Sequence, residues 1–373
     1  MQHITGHPAQ AAWIADDATL AAFIDALPAG APLGLDTEFM RRSTFYPQLA
    51  LLQLAADGHA ALVDPLAFAP GAALRTRLAD PGTTCVMHSA SEDLEALAAL
   101  LPADPIRLFD TQIAAAMAGM GFGLSYQKLV AAVTGVELPK GETRSDWLQR
   151  PLTASQREYA AQDVHHLDAL HAELRERLAA RGRLAWHAED CARLVERGRA
   201  REGDAQPQRA FRSAADWPRE QQALLRRVLR WRESTARTQD APRPWLLEDA
   251  QALSLSQQPP RSLGELHERT KGQRALRSAQ RADLLDTLRR PLDVAEIEAT
   301  AAIPGAPEGE AKRALAAMKQ ATDALAVELD LPGGLLCPRR ALEEYVVTRT
   351  WPELLEGWRR EALEARLARL LPD

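Results

Sequence analysis

The sequence predicts an α/β domain, a mixed sheet flanked by helices, followed by two all-α bundles. Three observations carry this expectation. Strand-like and helix-like stretches alternate through the first half, after which no convincing strand remains. At 373 residues the chain has room for two or three domains, each with its own core. The charge also changes sign along the chain, from a net −8 over 1–205 to +7 over 206–290 and −5 over 291–373, within a total of −6. The polar stretch "REGDAQPQ" (201–208) marks the first boundary and Pro291 the second. The expected units are therefore 1–205, 206–290 and 291–373.

Strands are expected at 33–39, 48–55 ("QLALLQLA"), 60–63, 84–88 ("TCVMH") and 106–110 ("IRLFD"). The first three follow one another closely and read as an antiparallel meander. The last two flank the helix-like "SEDLEALAALL", the pattern of a parallel βαβ unit. Helices are expected at 111–119, with Thr111 as N-cap, and at 125–134. A long one should start at Thr153, whose "TASQ" has the form of a capping box, and run to about Arg181 before stopping at Gly182. Three antiparallel strands followed by two parallel ones crossed by helices describe a ribonuclease-H-like domain. Beyond it, 217–232, 246–254, 262–269, 273–288, 308–329, 339–348 and 352–370 carry apolar residues at 3–4 spacing, with Pro-rich breaks between them.

Within this frame, acids stand where apolar residues are expected. "LGLDTEF" (33–39) puts Asp36 and Glu38 two positions apart in a core-like strand, so both project from the same face. Asp93 opens a helix that follows a buried strand, at the strand end where α/β proteins place ligands. Tyr159 and Asp163 in "REYAAQDV" lie one helical turn apart on one face. Each alone has an ordinary explanation as a turn, cap or surface residue. Two like charges on one strand face, however, repel and lose hydration unless a cation neutralises them. Oxygen ligands without histidine or cysteine companions point to Mg²⁺ or Mn²⁺ and not to zinc.

"DTEF", "TFYPQLALLQL", "HSASEDLEAL" and "YAAQDV", in that order, resemble the DEDD superfamily of 3′→5′ exonucleases in its tyrosine-bearing subtype, and within it the bacterial ribonuclease D group. "LLRRVLRWRESTARTQDAPRPWLLEDAQALSLSQQPPRSLGEL" resembles an HRDC domain, and "CPRRALEEYVVTRTWPELLEGWRREAL" a more divergent second one. The resemblance implies an exoribonuclease that trims tRNA precursors and other structured RNAs to nucleoside 5′-monophosphates, using two divalent ions (Mg²⁺ or Mn²⁺). It implies that Asp36 bridges the ions, that Glu38 and Asp163 complete one site, that Asp93 serves the other, and that Tyr159 orients the attacking water. A tyrosine pKa of about 10 favours orientation over proton abstraction. Thr37, Tyr46, Gln53 and His88 become candidate contacts to the RNA 3′ end, with core packing the competing role for Phe45. Lys140 and Arg144, in the polar loop "KGETRSDW", are candidate phosphate contacts.

HRDC modules bind nucleic acid largely by charge, and the +7 segment fits that role. Arg226, Arg227 and Arg230 at neighbouring helical positions, with Lys271, Arg274, Arg277 and Arg281 at 3–4 spacing, are the expected RNA-backbone contacts. The acidic third segment reads as a packing domain. A DNA exonuclease on the same fold and an inactive RNA-binding scaffold remain the alternatives. The composition, 46% hydrophobic and 26% charged, is that of a soluble globular protein, and no apolar run reaches membrane-spanning length. No signal-peptide pattern opens the chain, and three widely spaced cysteines fit a reducing cytoplasm. A monomer is expected, as no heptad pattern is present.

Overall fold

A computed structural model describes residues 11–103, 106–139, 141, 145–199 and 203–371. Six strands, β1 (Ala12–Ile14), β2 (Leu33–Met40), β3 (Gln48–Ala56), β4 (His59–Val63), β5 (Thr84–Met87) and β6 (Arg107–Asp110), form one sheet in the order β1-β4-β3-β2-β5-β6. β2, β3 and β4 pair antiparallel, whereas β5 pairs parallel with β2 and with β6. The meander and the βαβ unit are thus as the sequence predicts. The Asp57–Gly58 link between β3 and β4 has φ of +50° and +77°, the positive pair that a two-residue hairpin turn of the right twist demands. The three-residue edge strand β1, parallel to β4, is an addition to the expected set.

Alternation along β2 decides where the acids point. Leu33 and Leu35 enter an apolar cluster with Leu52, Leu54 and Leu94 on one face of the sheet. Gly34 faces the other way, where a Cβ would stand 3.1 Å from Leu167 Cδ1 and 3.2 Å from the Ala55 carbonyl. Asp36 and Glu38 share the parity of Gly34 and so face the helices on that side. A register shift between Glu38 and Phe39 ends the regular pairing with β3 beside the acids.

The helix expected from Thr153 to Arg181 is two helices, Ala154–His165 and Leu167–Ala180, broken at His166. Its start is as expected: Thr153 caps Gln156 N while the Gln156 side chain caps Thr153 N. The cap of the earlier helix Thr111–Met117 is Asp110 and not Thr111, because the Asp110 carboxylate accepts from Gln112 N and Ile113 N. A further helix, Leu184–Arg199, packs back across the domain.

The first helical unit is built on the helix Arg219–Gln239, whose Leu225 and Val228 share a core with Leu246, Leu255, Leu266 and Leu284. This core continues past Pro291, since Ile303 is buried in it. The last unit has no separate core. Met318, Leu342, Tyr345 and Leu363 belong to one apolar cluster with Val86, Phe109, Leu167 and Leu174 of the sheet domain. The buried Arg183 reinforces that join by donating to the carbonyls of Met117, Leu329 and Asp330, at the end of the helix Gly309–Glu328.

Candidate active site

Three elements bring the expected acids together. β2 supplies Asp36 and Glu38. The helix Ser91–Ala96, which leaves the end of β5, supplies Asp93, and the helix Ala154–His165 supplies Tyr159 and Asp163. Each support is held by local hydrogen bonds. Ser89 takes a positive φ of 60° in the turn into the Asp93 helix, and the Asp110 carboxylate holds that turn by accepting from Ala90 N at 2.8 Å. The Thr37 hydroxyl donates to Asp93 Oδ1, so a residue between the two strand acids fixes the third. Tyr159 donates its hydroxyl to the Asp163 carboxylate.

The four acids sit in one another's field. Burial, then the charges of Asp93, Asp163 and Glu38, raise the Asp36 carboxyl well above the usual range. Burial, then Asp163 and Asp93, push Glu38 up to about 9. Burial raises Asp163 to about 7 and Asp93 to about 6, against the opposing hydrogen bonds from Tyr159 and Thr37. None of the four has an ion-pair partner among the described residues. Burial, then the charges of Asp163 and Glu38, drives the Tyr159 hydroxyl far above its ordinary value, which keeps it protonated.

Donor chemistry and charge both fit divalent cations here. Four hard oxygen donors crowd negative charge that bound protons relieve at low pH and a cation would relieve at higher pH. Gln53 adds an independent sign. It lies directly across from Asp36 in the β2–β3 ladder, is fully buried, and has no partner for either end of its amide. An orphan amide costs about 1–3 kcal/mol, which a bound, hydrated ligand would offset. Among the described residues no three acids, histidines or cysteines are placed so that together they hold a metal ion, so the fit rests on charge and donor type alone.

A stability prediction follows for the metal-free protein. Raised carboxyl pKa values mean that the folded chain holds more protons than the unfolded one. Their favourable contribution is complete below about pH 4 and is lost as pH rises through about 6, 7 and 9. Thermal midpoints in chelator should therefore decline from about pH 5 to about pH 9, and added Mg²⁺ should restore them most at the alkaline end. Midpoints indifferent to both variables would contradict the shared site.

The remaining candidates take varied places. His88 engages Thr111 Oγ1 at 2.9 Å and the Leu124 carbonyl at 3.1 Å, which makes it a brace under the Asp93 turn. Tyr46 is 47% exposed and stands at the junction with the first helical unit, beside Phe45. Phe45 packs against a core as expected, that of the first helical unit: Arg237 and Arg243 of that unit lie over its ring at 4.9 and 4.6 Å, and Asp240 Oδ1 accepts from the backbone N–H of Phe45 and Tyr46. Lys140 and Arg144 lie outside the described residues. Gly141 between them passes over Tyr159, where a Cβ would fall 1.9 Å from the ring.

Of the expected backbone contacts, Arg227 is corrected. It is buried, paired with Glu296, and donates to the carbonyls of Thr287, Arg290 and Pro291. Its charge holds the bundle together and is not presented to solvent. Arg226 gives its Nε to the Ala205 carbonyl, Arg281 donates to Thr270, Arg274 lies over Trp245, and Lys271 stands 3.7 Å from Glu268. Arg230 and Arg277 are exposed. One residue near the acids gave no sequence signal. Tyr126 donates to the Gln162 carbonyl and accepts from His166 N, which fixes the helix break just after Asp163.

A 3′-5′ exonuclease family model matches residues 11–179, and an HRDC domain model matches residues 221–288. Ribonuclease D of Xanthomonas oryzae pv. oryzae is 44% identical over 350 residues, covering 93% of this chain and 95% of that one. Ribonuclease D of Escherichia coli is 32% identical over 382 residues, covering 96% and 98%. The crystal structure of Escherichia coli RNase D, described as an exoribonuclease involved in structured RNA processing, aligns with a TM-score of 0.81 at 30% identity over 97% of this chain and 98% of that one.

Proposed function

The chain belongs to the ribonuclease D family, metal-dependent 3′→5′ exoribonucleases, and from that premise we propose how its residues divide the work. Asp36, Glu38, Asp93 and Asp163 would hold two divalent cations, Mg²⁺ or Mn²⁺. The observation that carries this reading is the convergence of four carboxyls, Asp93 buried and the other three half-buried, with no ion-pair partner among the described residues. When bound, such ions supply Lewis-acid polarisation of the scissile phosphate and offset the charge that gathers in the transition state.

The chain's own groups do the positioning. Thr37 holds Asp93, and the Thr153–Gln156 capping box holds the helix that presents Tyr159 and Asp163. Tyr159, kept protonated and donating to Asp163, would orient the attacking water by accepting a hydrogen bond from it. Water adds to phosphorus, the bond to the 3′ oxygen of the shortened strand breaks, and that oxygen takes a proton. The products are a nucleoside 5′-monophosphate and an RNA one residue shorter. Gln53 would give its unpaired amide to the terminal nucleotide or its hydration. The proposed substrates are unpaired 3′ tails of tRNA precursors and other structured RNAs. The proposal places the enzyme in the cytoplasm as a monomer, in keeping with three free, buried cysteines. Among the described residues no helix is long and apolar enough to cross a membrane.

Tyr159→Phe should slow nucleotide release roughly ten- to hundredfold, as expected for loss of one positioning hydrogen bond at a reacting water. Because the hydroxyl stays protonated throughout the working range, the pH–rate profile should keep its shape. A lost alkaline or acidic limb in this variant would instead make Tyr159 a proton carrier. Matched 3′ tails of RNA and DNA, compared by initial rate, test the substrate class. Faster removal from RNA supports the proposal, and equal or faster removal from DNA overturns it.

A further inference from the structure

We propose that the cleft between the catalytic domain and the first helical unit is a phosphate-gripping channel for the unpaired RNA strand just upstream of the nucleotide being removed. This rests on the exoribonuclease reading and adds the path by which the strand reaches the acids. The cleft holds about 660 Å³ and, among the described residues, is lined by Arg41, Arg197, Arg199, Arg237 and Arg243 against one acid, Glu95. Both units contribute, so the channel exists only while they are docked.

Two connections tie the cleft to the elements that carry the acids. Arg41 follows β2 and pairs with Glu95, two residues beyond Asp93 on its helix. Arg41 lies three positions after Glu38, so their Cα atoms lie within about 10 Å of each other. From the opposite side, Gly198 lets the end of the helix Leu184–Arg199 press on the Asp93 helix. A Cβ at Gly198 would stand 2.7 Å from Leu94 Cβ. A glycine inside a helix is disfavoured relative to alanine, and here the close approach requires it. It brings Arg197 and Arg199 to the rim beside the catalytic helix.

The chemistry of the lining suits one ligand class. Arg199 is spent partly on the carbonyls of Pro102 and Ala103, and Arg237 and Arg243 share Glu233. Arg197 is exposed and makes no ion pair among the described residues. Tyr46, an exposed ring at the mouth, adds a face on which a base can stack. Five guanidinium groups beside an exposed aromatic ring, outnumbering the acids Glu95 and Glu233 that three of them share, match a single-stranded polyphosphate backbone carrying bases.

The test is fluorescence anisotropy of a single-stranded RNA with a labelled 5′ end, titrated with the full chain carrying Asp163→Asn so that the probe is not consumed. Adding Arg197→Glu should weaken binding about tenfold and reduce the slope of log Kd against log salt by about one. Arg197→Lys, which keeps the charge, should bind nearly as well as arginine. Unchanged affinity and salt slope with glutamate would overturn the channel, and equal loss with lysine and glutamate would overturn it too, by making the effect one of packing. Nucleotide release by the unsubstituted chain is measured separately. Failure there counts against the exoribonuclease reading and leaves the binding comparison to judge the channel.

Discussion

Asp163→Asn should lower nucleotide release on the order of a thousandfold or more while RNA binding stays near that of the unsubstituted chain. Asparagine keeps the shape of the side chain and an oxygen that accepts from Tyr159, so the helix Ala154–His165 keeps its place. What goes is one of four charges on which a cation depends. The substitution also removes a carboxyl that burial raises to about 7, so the metal-free thermal midpoint should not fall at neutral pH. A loss of activity accompanied by a lower midpoint would mean a damaged fold and not a disabled site. Full activity would remove Asp163 from the centre.

The second large effect concerns stability. Asp190 and Arg359 are each about nine-tenths buried and pair through two parallel hydrogen bonds, the longer 2.8 Å, while Trp358 Nε1 donates to the same carboxylate at 3.1 Å. They join the helix Leu184–Arg199 of the catalytic domain to the helix Trp358–Leu367 of the last unit, next to the stacked rings of Trp186 and Trp358. Removing one partner leaves a buried charge unmatched. Asp190→Ala should therefore cost about 3–5 kcal/mol, read as a lower denaturant midpoint by tryptophan fluorescence. Asp190→Leu with Arg359→Met removes both charges and should recover most of the loss, because paired burial itself adds little net stability. A change below about 0.5 kcal/mol for the single variant would mean that the join does not depend on this pair.

The sequence shows its chemistry more plainly than its joints. Asp36 and Glu38 stand out because acids two apart in an apolar strand break a strict pattern, and the Thr153 capping box is local enough to read directly. β1 is only three residues long, too short for any alternation to register. The break at His166 has no glycine or proline to announce it. The helix Leu184–Arg199 buries His187 and Asp190 on its inner face, which blurs its apolar stripe. Charge counting placed Arg227 with the exposed arginines, since composition cannot separate a guanidinium in solvent from one wrapped in carbonyls. Thr37 and Asp93 are 56 positions apart, and Asp190 and Arg359 are 169 apart. Such contacts are set by the completed fold, and no local spacing encodes them.

The central claim is that these four acids remove nucleotides one at a time from an RNA 3′ end with a divalent cation. The most direct measurement uses a 5′-labelled RNA with a short unpaired 3′ tail, incubated with the full chain in Mg²⁺, in Mn²⁺ or in chelator, and resolved at single-nucleotide steps. The account predicts a ladder that shortens from the 3′ end, release of 5′-monophosphates, and no shortening in chelator. Internal cuts, loss from the 5′ end, or equal shortening without metal would contradict it.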